Sequence, residues 1–205
     1  MTREIFVSTG NSGKVKEISR LLGGKYSIKW NRDFPNMAMP EEAGSTFADN
    51  ASIKAMVAAN HSGMLALADD SGLVVDALGG EPGVRTARYG GDSAMDDRGR
   101  YMLLLRNMKD VPEGKRSARF VCAVALALPG KLLAVTEGVC EGSISFEPRG
   151  ENGFGYDPVF VPQGYIRSFA ELGPNEKDRI SHRSKALAAM YPIVEEQFAA
   201  ADKGV

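Results

Sequence analysis

Apolar residues fall into short runs separated by glycine-rich turns, and their spacing changes along the chain. Glu4 to Thr9 reads as a short buried strand around Ile5, Phe6 and Val7. A turn at Gly10-Asn11-Ser12-Gly13 follows. Lys14 to Leu22 then takes helical spacing, with Val15, Ile18, Leu21 and Leu22 on one face. Thr46 with Asp49 forms a capping signal for an alanine-rich helix to about Asn60, and Gly63 terminates it. Asn50 and Lys54 lie one turn apart on that helix and share a face. Leu65 to Ala68 reads as a strand ending in Asp69-Asp70-Ser71-Gly72, with Leu73 to Ala77 extended again. Leu78 to Gly91 is a loop. Ser93 and Asp96 mark a helix running to about Met108. Arg119–Leu128 and Lys131–Val139 form a hairpin through Pro129-Gly130, and Ile144 to Phe146 adds a third strand. Pro158 to Pro162 is short and extended. Ser181 caps a last helix with Leu187, Met190, Val194 and Phe198 inward, which Pro192 should kink or split. Early βα units with a later antiparallel hairpin predict an α/β protein with a mixed sheet flanked by helices. No repeat or long polar linker divides the chain, so it is read as one folded domain over residues 1–205.

Composition narrows the possibilities. The 205 residues suffice for a sizeable core, and the 43% hydrophobic fraction is ordinary for a globular protein. Twenty-five basic side chains against 26 acidic ones argue against a nucleic-acid-coating surface. Local clusters can still serve a small anion. Cys122 and Cys140 lie in apolar runs and read as buried thiols rather than a disulfide or a zinc site. No run reaches membrane-spanning length and no leader pattern is visible, so the expectation is a cytoplasmic protein without membrane or nucleic-acid partners.

Five segments carry candidate chemistry. Ser8 to Lys14 places backbone N–H groups and a lysine at a helix start, the makings of an anion site. It is not a P-loop, because Ser8 and Val15 stand where that motif needs Gly and Ser or Thr. On this segment alone, a phosphate site and an ordinary βα turn are equally good readings. Glu41-Glu42 precedes the capped helix. Asp69-Asp70 ends an apolar strand, where ligands collect in α/β sheets, and carboxylates there suit Mg²⁺. The alternative is an Asx turn. Phe154 between Gly153 and Gly155 offers an exposed ring for stacking a base, or a ring turned into the core. Lys177 with Ser181-His182-Arg183-Ser184 gathers basic groups near a helix start, which also fits a plain charged cap.

In order and number these stretches resemble the Ham1-like family of inosine and xanthosine triphosphate pyrophosphatases. The resemblance is carried by Thr9-Gly10-Asn11-Ser12-Gly13-Lys14, Glu41-Glu42-Ala43-Gly44-Ser45-Thr46-Phe47, Ala68-Asp69-Asp70-Ser71-Gly72-Leu73, Pro82-Gly83-Val84, Ala87-Arg88-Tyr89, Gly153 to Pro158 and Ile180-Ser181-His182-Arg183. It spans nearly the whole chain. Asp49 stands where the family more often has Glu, a difference that touches only capping. The resemblance implies an elongated mixed sheet with two lobes and a central cleft, Mg²⁺ as cofactor and a homodimer. It implies hydrolysis of non-standard purine triphosphates (ITP, dITP, XTP) to monophosphate and pyrophosphate. By position, Glu41 and Asp70 would hold the metal, with Glu42 the alternative to Glu41, and Asp70 would accept the proton. Thr9, Gly10, Asn11, Ser12, Gly13, Lys14, Ser71, Phe154, Gly155, Tyr156, Asp157, Lys177, His182 and Arg183 would contact the nucleotide. Lys14, Lys54 and Lys177 would neutralise a triphosphate carrying about four negative charges. Donors at His182 and Arg183 would favour a C6 keto oxygen over the adenine amino group. A Maf-type pyrophosphatase acting on modified pyrimidines is the runner-up, but its motifs are absent. A non-catalytic nucleotide-binding module is disfavoured by so many acids near a phosphate.

Overall fold

The computed structural model describes residues 3–91 and 95–203. Strands β1 (Glu4–Ser8), β2 (Ser27–Trp30), β3 (Ala66–Val75), β4 (Ser117–Leu128), β5 (Lys131–Ile144) and β6 (Phe160–Pro162) form one sheet in the order β2-β1-β3-β4-β5-β6. The sheet is mixed. β1 pairs in parallel with β2 and β3, with Ser8 opposite Ala68, and β5 pairs antiparallel with β6, with Gly142 opposite Pro162. Helices α1 (Ser12–Leu21), α2 (Phe47–Ser62), α3 (Asp97–Asn107), α4 (Pro174–Ile180) and α5 (His182–Lys203) complete the α/β fold. Among the described residues no helix is long and apolar enough to cross a membrane.

The chain divides into two compact units. One comprises Met1–Asp70, Cys122–Gly138 and Arg183–Val205, the other Ser71–Val121 and Val139–His182. In the first unit the alternation of β4 sorts the core. Cys122, Val124 and Leu126 join Ile5, Val7, Ile18, Leu67 and the Leu187, Met190 and Val194 face of α5. Their neighbours Ala123, Ala125 and Ala127 join Ala66, Ala68 and the alanines of α2. Strand side chains alternate between faces, so one strand serves two clusters. The second unit packs Leu73, Val75, Leu104 and Met108 with Phe120, Phe160 and Phe169.

Local signals held where they were strongest. Thr46 and Asp49 form a capping box, and Gly63 ends α2 in the left-handed region at φ 71°. Both cysteines are buried thiols and neither is in a disulfide. Other expectations are corrected. β3 does not stop at Ala68, where its pairing with β1 ends, but continues through Asp69 to Gly72 to Val75 with β4 as its remaining sheet neighbour. Ile144 is the last residue of a 14-residue β5 rather than the start of another strand. α5 is not split by Pro192. The proline removes one backbone donor, and the packing of Leu187, Met190 and Val194 on both sides of it outweighs that loss. Asp96 caps α3 through the Gly99 N–H, while Ser93, the other half of the expected signal, lies outside the described residues.

Candidate functional site

In the first unit β1 delivers the chain to Thr9, whose hydroxyl accepts the Asn11 N–H at 3.1 Å. Asn11 Oδ1 then accepts the N–H groups of Gly13 at 2.8 Å and Lys14 at 3.2 Å, capping α1. Gly10, Asn11 and Ser12 are exposed. Lys14 is not a surface lysine. Its ammonium lies 3.0 Å from Asp69 Oδ2.

Because β3 stays extended through the two acids, Asp69 and Asp70 point to opposite faces of the strand. Each acquires its own partners. Asp69, 1% exposed, takes Arg183 Nη2 at 3.0 Å and Nε at 3.3 Å, besides Lys14. The far side of the Arg183 guanidinium donates through Nη1 to Glu17, one turn beyond Lys14 on α1. Burial opposes charge on Asp69, but Lys14, Arg183 and Lys54 outweigh it and hold its carboxyl well below the usual range. Arg183 stays charged for the reciprocal reason: burial works against it, and Asp69 and Glu17 more than compensate.

Asp70 accepts from Lys54 Nζ at 2.7 Å and Asn50 Nδ2 at 3.3 Å. Lys54 also donates to Glu42 Oε1 at 3.0 Å. Asn50 Oδ1 accepts the Gly44 N–H at 2.8 Å, tying the Glu41–Thr46 loop to the same point. Gly44 is required for this approach, since a Cβ there would lie 2.5 Å from Asp49 Cβ. Burial pushes the Asp70 carboxyl up despite Lys54, with Glu42 adding to the rise. Burial works against the Lys54 ammonium, which is held up by Asp70, Asp69 and Glu42. Glu42, not Glu41, is thus the loop acid that reaches Lys54 and Asp70, while the Glu41 side chain is exposed.

The donors fit a hard divalent cation. Carboxylates of Asp70 and Glu42 converge on one ammonium, and across the cluster Glu17, Glu42, Asp69 and Asp70 outnumber Lys14, Lys54 and Arg183. Among the described residues no group of three or more His, Cys, Asp or Glu side chains forms a metal cage. Mg²⁺ typically takes only one or two protein carboxylates, and fills its other positions with water and phosphate oxygens.

In the second unit Gly153 and Gly155 adopt φ of 78° and 63°, turning the chain sharply on either side of the half-buried Phe154. Asp157, buried, accepts the Phe154 N–H at 2.9 Å and Lys177 Nζ at 2.6 Å. The Lys177 ammonium sits 5.1 Å from the Phe154 ring centre and 5.3 Å from that of Phe169. Tyr156 is buried with its hydroxyl donating to Thr86 O at 3.0 Å. His182 stacks on Phe120 with centroids 4.6 Å apart. Ser71, next to Asp70 on β3, is half-buried.

The structure therefore brings Lys14, Lys54, Asp70 and Arg183 into one charged cluster, and Phe154, Gly155, Tyr156, Asp157 and Lys177 into another group. His182 and Arg183, adjacent in sequence, belong to different units. Sequence reasoning missed Glu17, Glu42's contact, Asn50's bond to Asp70, and Asp97, whose carboxylate accepts the Gly155 N–H. The shared face of Asn50 and Lys54 and the one-turn spacing of Lys14 and Glu17 were the available signals.

Residues 5–193 match the Ham1 family. A dITP/XTP pyrophosphatase of Geobacillus kaustophilus is 49% identical over 189 residues, 92% of this chain and 92% of that protein. One of Streptomyces avermitilis is 44% identical over 199 residues, 96% and 98% of the two chains. Among solved structures, a HAM1 protein from Coxiella burnetii superposes with a TM-score of 0.82 at 41% identity, covering 95% of this chain and 100% of that one. The dITP/XTP pyrophosphatase from Mycobacterium abscessus gives 0.73 at 46% identity, covering 92% and 99%.

Proposed function

The chain belongs to the Ham1 family, and from that premise we propose that it hydrolyses non-standard purine nucleoside triphosphates, dITP, XTP and ITP, to the monophosphate and pyrophosphate. The observation that carries this reading is Asp70. It is a buried carboxylate whose affinity for a proton is raised by burial, and Lys54 and Asn50 fix its orientation. That is what a general base for water needs first: a carboxylate held in a fixed position. Water attacks the α-phosphorus, the bond from that phosphorus to the oxygen bridging to the β-phosphate breaks, pyrophosphate departs, and the proton of the attacking water passes to Asp70.

Asp70 and the Glu41-Glu42 loop would hold Mg²⁺, Glu42 being the loop acid already beside Asp70. The ion would supply neutralisation of the charge that builds on phosphate oxygens. Lys14 and Lys54 contribute fixed positive charge to the same end, and Thr9 to Gly13 shape the turn that presents Lys14. Phe154 supplies a stacking face for the base, held by Asp157 and Lys177. Donors at His182 and Arg183 favour a C6 keto oxygen, with Arg183 oriented by Asp69 and Glu17. On the same reading the enzyme is a homodimer working on the cytoplasmic nucleotide pool, and a solution mass of one chain by light scattering would remove the dimer.

A pyrophosphate-release panel tests the function. Efficiency on dITP, XTP and ITP should exceed that on the four standard triphosphates and on modified pyrimidines, and should require Mg²⁺. Equal efficiency on ATP, or release of orthophosphate in place of pyrophosphate, would overturn the proposal.

A further inference from the structure

Phe154 is flanked by residues that cannot fix it by packing, since neither neighbouring glycine has a side chain. Its turn is held by carboxylates instead. The Phe154 N–H goes to Asp157, within the turn. The next N–H, that of Gly155, donates at 2.7 Å to Asp97 Oδ2, from a residue 58 positions earlier in the first turn of α3. Asp157 closes the turn on itself, and Asp97 fastens it to a helix. The other oxygen of Asp97 accepts Arg100 Nη2 at 2.6 Å, which sets the direction of the carboxylate. The Asp97 side chain is 47% exposed, so it fills no core space and its polar contacts are its main contribution.

We propose that Asp97 is a positioning residue for base recognition, setting the place of the Phe154 ring through the Gly155 N–H. The proposal rests on the reading of Phe154 as the stacking face for the base. A backbone N–H held by a carboxylate is a charge-assisted contact, and such contacts are shorter and stronger than neutral ones. Without it the turn keeps its internal bond to Asp157 but loses its fixed height relative to α3. Base binding then weakens, while the Asp70 cluster and the chemical step are untouched.

The test is a comparison of steady-state constants for dITP in D97A, D97N, F154A and the D97A/F154A double variant, with thermal unfolding of each. D97A should raise KM about ten-fold, the scale of one partly exposed charge-assisted hydrogen bond, with kcat within about two-fold of wild type. D97N keeps an oxygen acceptor for Gly155 but loses the negative charge facing Arg100, and should recover part of the lost KM. The double variant should show little KM increase beyond F154A, because both changes act on one ring. An F154A effect on KM with none from D97A would overturn the anchoring role and leave stacking standing. No KM effect from either would remove both. A lowered melting temperature and kcat in D97A at unchanged KM, or no recovery in D97N, would mean that Asp97 serves only stability or the Arg100 pair, and would refute the proposal.

Discussion

Replacing Arg183 with alanine removes a cation that joins two buried acids, Asp69 and Glu17. Asp69 is 1% exposed and Glu17 7%, so water cannot take over the lost partner. Removing one member of a buried ion pair costs about 3–5 kcal/mol. Asp69 keeps Lys14 at 3.0 Å, which places Arg183→Ala at the lower end, about 3 kcal/mol. For a chain of this size that is a fall in melting temperature of about 6–12 °C. Arg183→Lys should recover only part, because one ammonium lacks the fork that serves Asp69 and Glu17 together. The pH dependence has a definite sign. The folded Asp69 carboxyl lies below its unfolded value, so stability from its charged form is fully present above about pH 4 and is lost as pH falls through the folded value. The gap between wild type and Arg183→Ala should therefore be largest near neutrality and narrow in acid. Thermal and urea unfolding at pH 7.5 and at lower pH measure both effects. A folded variant melting within about 2 °C of wild type at pH 7.5 would refute the reasoning, since even 1 kcal/mol moves the midpoint by that much.

Asp70→Asn should retain the fold and lose about a thousand-fold in kcat, the range of a general base; near-normal turnover in Mg²⁺ would take Asp70 out of the mechanism. Burial, with Asp69 adding to it, pushes the Cys122 thiol up to about 12, so thiolate is scarce at pH 8. A thiol-disulfide reagent should find neither Cys122 nor Cys140 in the native protein and both after denaturation, and rapid native labelling of Cys122 would contradict its burial. Thr46→Ala removes the acceptor for the Asp49 N–H at the head of α2 and should cost about 1 kcal/mol, read as a small fall in the unfolding midpoint. No change would mean that the Asp49 side chain, which takes the Thr46 N–H, caps the helix alone.

What could be read from the sequence was what is encoded locally. Thr46, Asp49 and Gly63 state the ends of α2 within a few residues of themselves, and Pro129-Gly130 states the β4–β5 turn. The adjacency of Asp69 and Asp70 marked the charged cluster. The strand lengths could not be read the same way. β3 runs on through Asp69 to Gly72, and β5 on to Ile144, because sheet neighbours hold residues whose own propensities favour a turn. β2 was missed, being four residues with no buried face. The cluster's wiring was equally hidden. Glu17 meets Arg183 across 166 positions and Gly155 meets Asp97 across 58, separations that no periodicity reports. Nor does pattern distinguish Glu41 from Glu42, since neighbouring loop residues differ only in where the backbone aims them.

The interleaving of the two units along the chain has a consequence for synthesis. The first unit draws on residues near both ends: Ile5, Val7 and Ile18 share their cluster with Leu187, Met190 and Val194 of α5. A ribosome delivers those α5 partners after the strand members of the cluster. Until α5 is made, β1 and α1 lack the part of their apolar cover that Leu187, Met190 and Val194 supply, and contacts of such long sequence span are the slow ones to form. A chain stalled before α5 therefore leaves Ile5, Val7 and Ile18 with incomplete apolar cover, and should be held by chaperones until that helix emerges.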